Sequence, residues 1–423
     1  MATKHHWIII GILLFTGCSS IKKSVLDVAD KYNYHVGFYL YDPEVKKELI
    51  NINGSKYFTP ASNTKVYTLY AANLILPDSM PAFKYIKTDT ALYVWGLADP
   101  SFLNDKLPQG NSYSFLKEAN KIYFSDANFN SKRFGAGWAW DDYNDDYSQE
   151  RSAFPIYGNS ILFNIDSVTR KLMVSPSIFK DSIVVKSGDE YRILRKEFSN
   201  QIEWDTTACT ECEQLLPIYN SNKTLKRLLE DTLKVPTLIH KLPLRNSALT
   251  YYSIPKDSVL KVMMQSSDNF IAEHLLLSCS AQLTDTLSTK RGVELISEKI
   301  NAFVPDKLNW RDGSGLSRYN LFTPKTMVFL WDRVYNEMGE ERLFGLISVG
   351  GKAGTLKNWF KAENPYIYAK TGTLSNNFNL SGFLIAKSGK RLIFSYMNNN
   401  YPVLSSDIRK EMEIILKQVY EKY

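Results

Sequence analysis

Ser62-Asn63-Thr64-Lys65 places a hydroxyl and an amine three residues apart, which on a helix sets them one above the other on a single face. A serine hydroxyl is a weak nucleophile until a neighbour takes its proton. A lysine can take it once burial and nearby positive charge have lowered its pKa, so Lys65 is the candidate base for Ser62. Two further groups follow, Ser267-Asp268-Asn269 and Lys370-Thr371-Gly372, in the order used by acyl-serine enzymes. The last lies among the apolar, β-prone residues of Tyr366 to Leu374, which read as a strand with an exposed edge. The set describes acyl transfer through a serine, with lysine in place of a histidine base.

Each residue then has a task. Ser267 passes the proton from Lys65 to a departing amine, and the Asn269 amide holds a backbone carbonyl of the substrate. Lys370 supplies a second positive charge and, with Thr371, binds a terminal carboxylate, while Gly372 lets a substrate approach the strand edge. The backbone N–H groups of Ser62 and Thr373 make an oxyanion hole, where loss of one donor costs about 3 kcal/mol of transition-state stabilisation. Ser-x-x-Lys alone carries little weight, because Ser114, Ser177, Ser253 and Ser258 also have a lysine three residues on. Ser62 differs in following Pro60-Ala61 and opening a helical pattern of Val66, Leu69, Tyr70 and Leu74. Ser267-Asp268-Asn269 also reads as a helix N-cap before Phe270, Ile271, His274 and Leu275, and the two readings are compatible. A Ser-His-Asp triad lacks its Gly-x-Ser-x-Gly elbow, and His274 reads as a packing or capping residue.

Those motifs must be held by a sizeable fold, and 423 residues allow two or three domains. Apolar content of 44% and charged content of 22% are those of a globular chain, rich here in Tyr. Residues 1–17 join a basic start at Lys4 to an apolar run from Trp7 to Phe15, the pattern of an export signal. Leu14 to Ser20 resembles a bacterial lipoprotein box, so Cys18 is the expected lipidation site and the mature chain is expected in the periplasm on a membrane anchor. The formal charge of +7 is spread without a basic block, which argues against nucleic acid as a partner. Cys209-Thr210-Glu211-Cys212 has no second metal half-site and reads as a small disulfide loop, and Cys279 as a buried thiol. The chemistry calls for no metal and no cofactor.

Along the chain, an amphipathic helix from Ser24 to Tyr34 precedes a strand marked by the alternation of Val36, Phe38 and Leu40. Near the other end Asn379 to Ala386 and Arg391 to Tyr396 read as two strands joined by a turn, so the Lys370 strand opens an antiparallel meander. A last helix starts near Ser406 with Ile408, Met412, Ile415, Leu416 and Val419 on one face. Between them the texture changes to short alternating runs. We expect 18–80 and 241–423 to form one discontinuous domain, with 81–240 a β-rich domain inserted after the nucleophile helix.

With Gly96-Leu97-Ala98-Asp99-Pro100-Ser101, Gly137-Trp138-Ala139-Trp140-Asp141-Asp142, Asp312 to Asn320 and Lys370 to Thr373 added to the Ser62 motif, the chain resembles the D-alanyl-D-alanine carboxypeptidase/endopeptidase family of class C, type-4 low-molecular-weight penicillin-binding proteins. The resemblance covers nearly all of the mature chain. It implies an α+β fold of the penicillin-binding and β-lactamase-like kind, helices around an antiparallel sheet. It implies cleavage of D-Ala-D-Ala termini or cross-links in peptidoglycan stem peptides through an acyl-enzyme on Ser62, and acylation of Ser62 by β-lactams. It also implies that Asp142 recognises a free amino group on the substrate, solvated loop acids being the plain alternative. A β-lactamase would need a base for fast deacylation, and Ser62 and Ser267 are too far apart in sequence for the class whose glutamate motif Glu298 loosely matches. A non-catalytic cell-wall-binding lipoprotein of the same fold would be marked by a lost motif residue, and none is lost.

Overall fold

Alternating apolar side chains make a strand that can bury one face, and the Val36, Phe38 and Leu40 pattern lies within a strand His35–Asp42. The computed structural model describes residues 20–166, 169, 171–186, 192–205 and 213–423. Cys18, Cys209, Cys212 and residues 1–17, with the expected export signal, lie outside the described residues. By compactness the chain forms two units, one of residues 1–70, 263–267 and 294–423 and the other of 71–262 and 268–293.

The first unit is built on a six-stranded sheet, in the order Ser348–Val349, Ile367–Leu374, Asn377–Ile385, Arg391–Asn399, His35–Asp42 and Lys47–Ile52. Every neighbouring pair is antiparallel. The Lys370 strand thus begins the expected meander, and a two-residue strand also covers part of its outer edge. Residues 20–32 are helical, and Ile21 and Val25 are buried in a core shared with the sheet. The helix Ser405–Lys422 buries Ile408, Met412, Ile415, Leu416 and Val419 in that same core, the face its spacing predicts. On Arg391–Asn399 and His35–Asp42 packs the helix Pro324–Met338. Thr323 caps it by accepting from the Thr326 N–H at 3.0 Å, with Pro324 at its first position.

The second unit contains a mixed five-stranded sheet, ordered Thr237–Ile239, Ile122–Ser125, Leu92–Gly96, Ser79–Lys87 and Leu249–Pro255. Two three-stranded sheets and the amphipathic helix Asn222–Leu233 accompany it. The helix Asn269–Thr284 contributes Leu277 and Ala281 to this unit's core. Every residue from Phe270 to Ala281 is buried, the polar Glu273, His274, Ser278 and Ser280 included. Among the described residues no helix is long and apolar enough to cross a membrane.

Candidate active site

Ser62 does not sit on an α-helix. Residues Ala61–Thr64 form a 3-10 turn, and the α-helix begins with Lys65 and runs to Ile75. Ala61 holds φ at +49°, in the left-handed region that is costly for a residue with a Cβ. The turn survives because several contacts fix it. Thr64 Oγ1 donates to the Ala61 carbonyl at 2.8 Å, and Gly315, itself at φ +91°, packs so closely that a Cβ there would lie 2.9 Å from Thr64 Oγ1 and closer still to the Ala61 carbonyl. Ser62 is partly exposed, whereas Asn63, Thr64 and Lys65 are buried.

The tight turn still brings the predicted pair together. Lys65 Nζ donates to Ser62 Oγ at 2.9 Å and to the Ser314 carbonyl at 2.8 Å. One turn along the helix, Thr68 Oγ1 donates to the neighbouring Gly313 carbonyl at 2.7 Å. The Ser314 carbonyl therefore holds the Lys65 amine beside Ser62, and the bond from Thr68 ties the same loop to the helix. Their loop is tied by Asp312, whose carboxylate accepts from the Gly315 N–H at 2.9 Å, the Ser317 N–H at 2.7 Å and Asn320 Nδ2 at 2.7 Å. The segment Asp312 to Asn320, which the sequence offers only as a likeness, is thus the support of the base.

Lys370 is fully buried and donates to Ser267 Oγ and to the Thr371 carbonyl, both at 2.8 Å. Burial, and then the charge of Lys65, push its pKa well below the ordinary lysine range. Two ammonium groups that repel in a dry site titrate as a pair, and the second proton is held weakly. Ser267 has φ +61°, a second strained backbone position at a candidate reacting hydroxyl. The chain passes from the first unit to the second just after it.

The strand and the nucleophile turn are locked by a residue that motif reading passes over. With its amide oriented to satisfy both ends, Asn63 accepts from the Gly372 N–H at 3.1 Å and donates to the Lys370 carbonyl at 3.3 Å and to Ser381 Oγ. Ser381 Oγ also accepts from Trp331 Nε1 at 2.9 Å. A Cβ on Gly372 would stand 2.7 Å from the Asn63 side-chain amide, 2.9 Å from Asn63 N and closer still to the Pro60 carbonyl. The room at Gly372 is taken by the nucleophile turn. Thr371 Oγ1 donates to Thr355 Oγ1 at 2.8 Å, and the Thr373 side chain is exposed.

Asn269 and Asp142 belong to the second unit. Asp268 caps the helix Asn269–Thr284, accepting from the Ile271 N–H at 2.9 Å, so the capping reading of this motif holds. Asn269 Nδ2 donates to the Tyr147 carbonyl at 3.0 Å, and Tyr147 Oη donates to Asp145 at 2.9 Å. That joins Asn269 to the acidic loop in which Asp142 opens a 3-10 turn. Behind them Arg151 donates twice to Glu273 Oε2, at 2.8 and 2.5 Å, both side chains buried. His274 is buried beside this pair, accepting from the Ser152 N–H at 3.2 Å and meeting the Phe270 carbonyl at 2.7 Å, with its pKa pushed down to about 4 by burial. It packs, as its helix position predicts.

Comparison with known proteins gives the family and the fold. The model of the D-Ala-D-Ala carboxypeptidase 3 (S13) family matches residues 20–419. The chain belongs to that family. It is 25% identical to D-alanyl-D-alanine carboxypeptidase DacB of Haemophilus influenzae over 422 residues, covering 87% of this chain and 86% of the relative. The crystal structure of penicillin binding protein 4 (dacB) from the same organism superposes with a TM-score of 0.79 at 20% identity, covering 94% of this chain and 99% of that one. A second structure of that protein, complexed with a β-lactam, gives a TM-score of 0.74 at 19% identity over 94% and 99% of the two chains. These likenesses carry the α+β, penicillin-binding fold.

Proposed function

We propose that this protein is a serine DD-peptidase that removes the terminal residue from D-Ala-D-Ala ends of peptidoglycan stem peptides, opens their cross-links, or both. The observation that supports it is the pair of lysine–serine contacts in one unit, Lys65 to Ser62 at 2.9 Å and Lys370 to Ser267 at 2.8 Å.

In this reading Ser62 Oγ attacks the carbonyl of the penultimate D-Ala while its proton moves to unprotonated Lys65 Nζ. Both lysines are buried, and the charge of one disfavours protonation of the other, which is what a general base needs. The N–H groups of Ser62 and Thr373 receive the oxyanion. Collapse breaks the C–N bond, the leaving amine takes a proton through Ser267, and water then hydrolyses the ester on Ser62. Lys370, Thr371 and Gly372 hold the terminal carboxylate. The substrate-binding roles of Asn269 and Asp142 are proposed on the motif resemblance. So is 81–240 as an insertion.

Work on peptidoglycan places the protein outside the cytoplasm. The finer reading, export by residues 1–17 into the periplasm and lipidation of Cys18, rests on the leader pattern. β-Lactams are proposed as covalent inhibitors of Ser62, by analogy with the H. influenzae complex.

Incubating the mature protein and Ser62→Ala with purified muropeptides, and identifying products by mass spectrometry, tests the reading. Loss of one D-Ala or conversion of dimers to monomers is expected from the wild type alone. Intact muropeptides with the wild type would sink it. Rapid release of hydrolysed β-lactam, in place of a lasting adduct, would make the protein a β-lactamase.

A further inference from the structure

Beside the Lys370 strand lies an arginine with no role so far. Arg409, in the helix Ser405–Lys422, stacks its guanidinium over the Phe378 ring at 4.6 Å from the centroid, with the Trp359 ring at 5.9 Å. Phe378 is the cross-strand partner of Thr373, so their side chains share a sheet face, and Thr371, two residues back, shares it too. Arg409 Nη2 lies 3.5 Å from Thr373 Oγ1, at the outer edge of hydrogen-bond range, and Nε is buried with no hydrogen-bond partner among the described residues. Glu413, one helical turn on, is occupied by the Phe360 N–H at 2.6 Å. The titratable neighbour acting on Arg409 is the Tyr401 hydroxyl, not a carboxylate. A half-buried guanidinium without an acid is costly to keep charged, and its field is open to an anion at the exposed Thr373.

We propose that Arg409 is the positioning residue for the substrate's terminal carboxylate, acting through Thr373. By donating to Thr373 Oγ1 it turns the hydroxyl proton outward, where a carboxylate oxygen accepts it, and it adds positive potential on the face that presents Thr371 and Thr373. This inference rests on the DD-peptidase reading and adds to it a cation from the last helix.

The test uses the full mature chain and one stem-peptide sequence ending in D-Ala-D-Ala, either as the free acid or as the C-terminal amide. Arg409→Met keeps stacking volume and removes the charge, and Arg409→Lys returns the charge. Arg409→Met is expected to lower kcat/KM for the acid about tenfold, mainly through KM, and to leave the amide unchanged. Arg409→Lys is expected to recover part of the loss. Thr373→Val is expected to give the same acid-selective loss, and the double variant no more than either single one. Equal losses on both peptides, or no loss, would assign Arg409 to packing and overturn the proposal while leaving the peptidase reading intact. If the wild type cleaves neither peptide and takes no β-lactam on Ser62, the functional reading falls and this proposal falls with it.

Discussion

Replacing Gly372 by alanine tests whether the nucleophile is positioned by the strand behind it. The new Cβ would be 2.7 Å from the Asn63 side-chain amide and 2.9 Å from Asn63 N, with the Pro60 carbonyl nearer still. Ordinary contact needs about 3.5 Å, so the turn carrying Ser62 must retreat by about 0.7 Å or more. Two of the obstructing atoms are backbone and the third belongs to a buried side chain, so no rotamer change relieves the clash. Overpacking of this kind costs about 1–3 kcal/mol of stability, which a folded chain of this size survives. A misplacement approaching 1 Å at the reacting atom costs about 100-fold in rate. We expect the second-order rate of acylation by a fluorescent penicillin, followed by stopped flow and gel fluorescence, to fall about 100-fold. Gly345→Ala, in the helix Glu340–Leu346 with nothing within 4 Å of the new methyl, is the control and should acylate normally. Acylation of Gly372→Ala at the wild-type rate, with the adduct still on Ser62, would refute the reasoning.

Lys65→Met removes the base while Lys370 stays in place, and acylation should slow by roughly 100- to 10,000-fold with melting temperature little changed. Glu273→Ala leaves Arg151 buried without its carboxylate and should destabilise the second unit by about 3–5 kcal/mol, read as lost hydrogen-exchange protection in the helix Asn269–Thr284. Stability against pH should show two opposed contributions in that unit. Burial raises the Asp99 carboxyl to about 6 although Ser253 and Ser101 donate to it, so its contribution is complete at low pH and is lost as pH rises through about 6. His274 is depressed to about 4, so its contribution is complete above the ordinary histidine value and is lost as pH falls through about 4. Each amounts to about 3 kcal/mol in order of magnitude. Between those values they offset each other, and Asp99→Asn should convert a flat melting profile into one that rises with pH. A flat profile in the variant would count against both assignments.

Much of the site could be read from the sequence because its chemistry is local. Lys65 reaches Ser62 across three residues, and Asp268 caps the helix that it immediately precedes. The supports could not be read the same way. Asn63 is an ordinary residue inside a motif until Gly372 and Ser381 arrive from far along the chain, and Ser314 acts through a carbonyl that every residue possesses. Apolar spacing from Val66 onward implied a helix containing Ser62, but the spacing says nothing about the first turn. There Gly315 and Thr64 select a 3-10 geometry that local propensity does not favour. The terminal helix was legible in its buried face, whereas Arg409 gave no signal, since its significance comes from Phe378 and Thr373 on a sheet it joins only in the fold.

On the proposed mechanism Ser62 becomes an ester when a lysine beside it lacks its proton. The most direct measurement is intact-protein and peptide mass spectrometry after brief exposure to a β-lactam, for the wild type, Ser62→Ala and Lys65→Met. One adduct is expected, on the peptide containing Ser62, formed by the wild type, absent from Ser62→Ala and strongly slowed in Lys65→Met. An adduct on any other residue, or one that Lys65→Met forms as fast as the wild type, would contradict it.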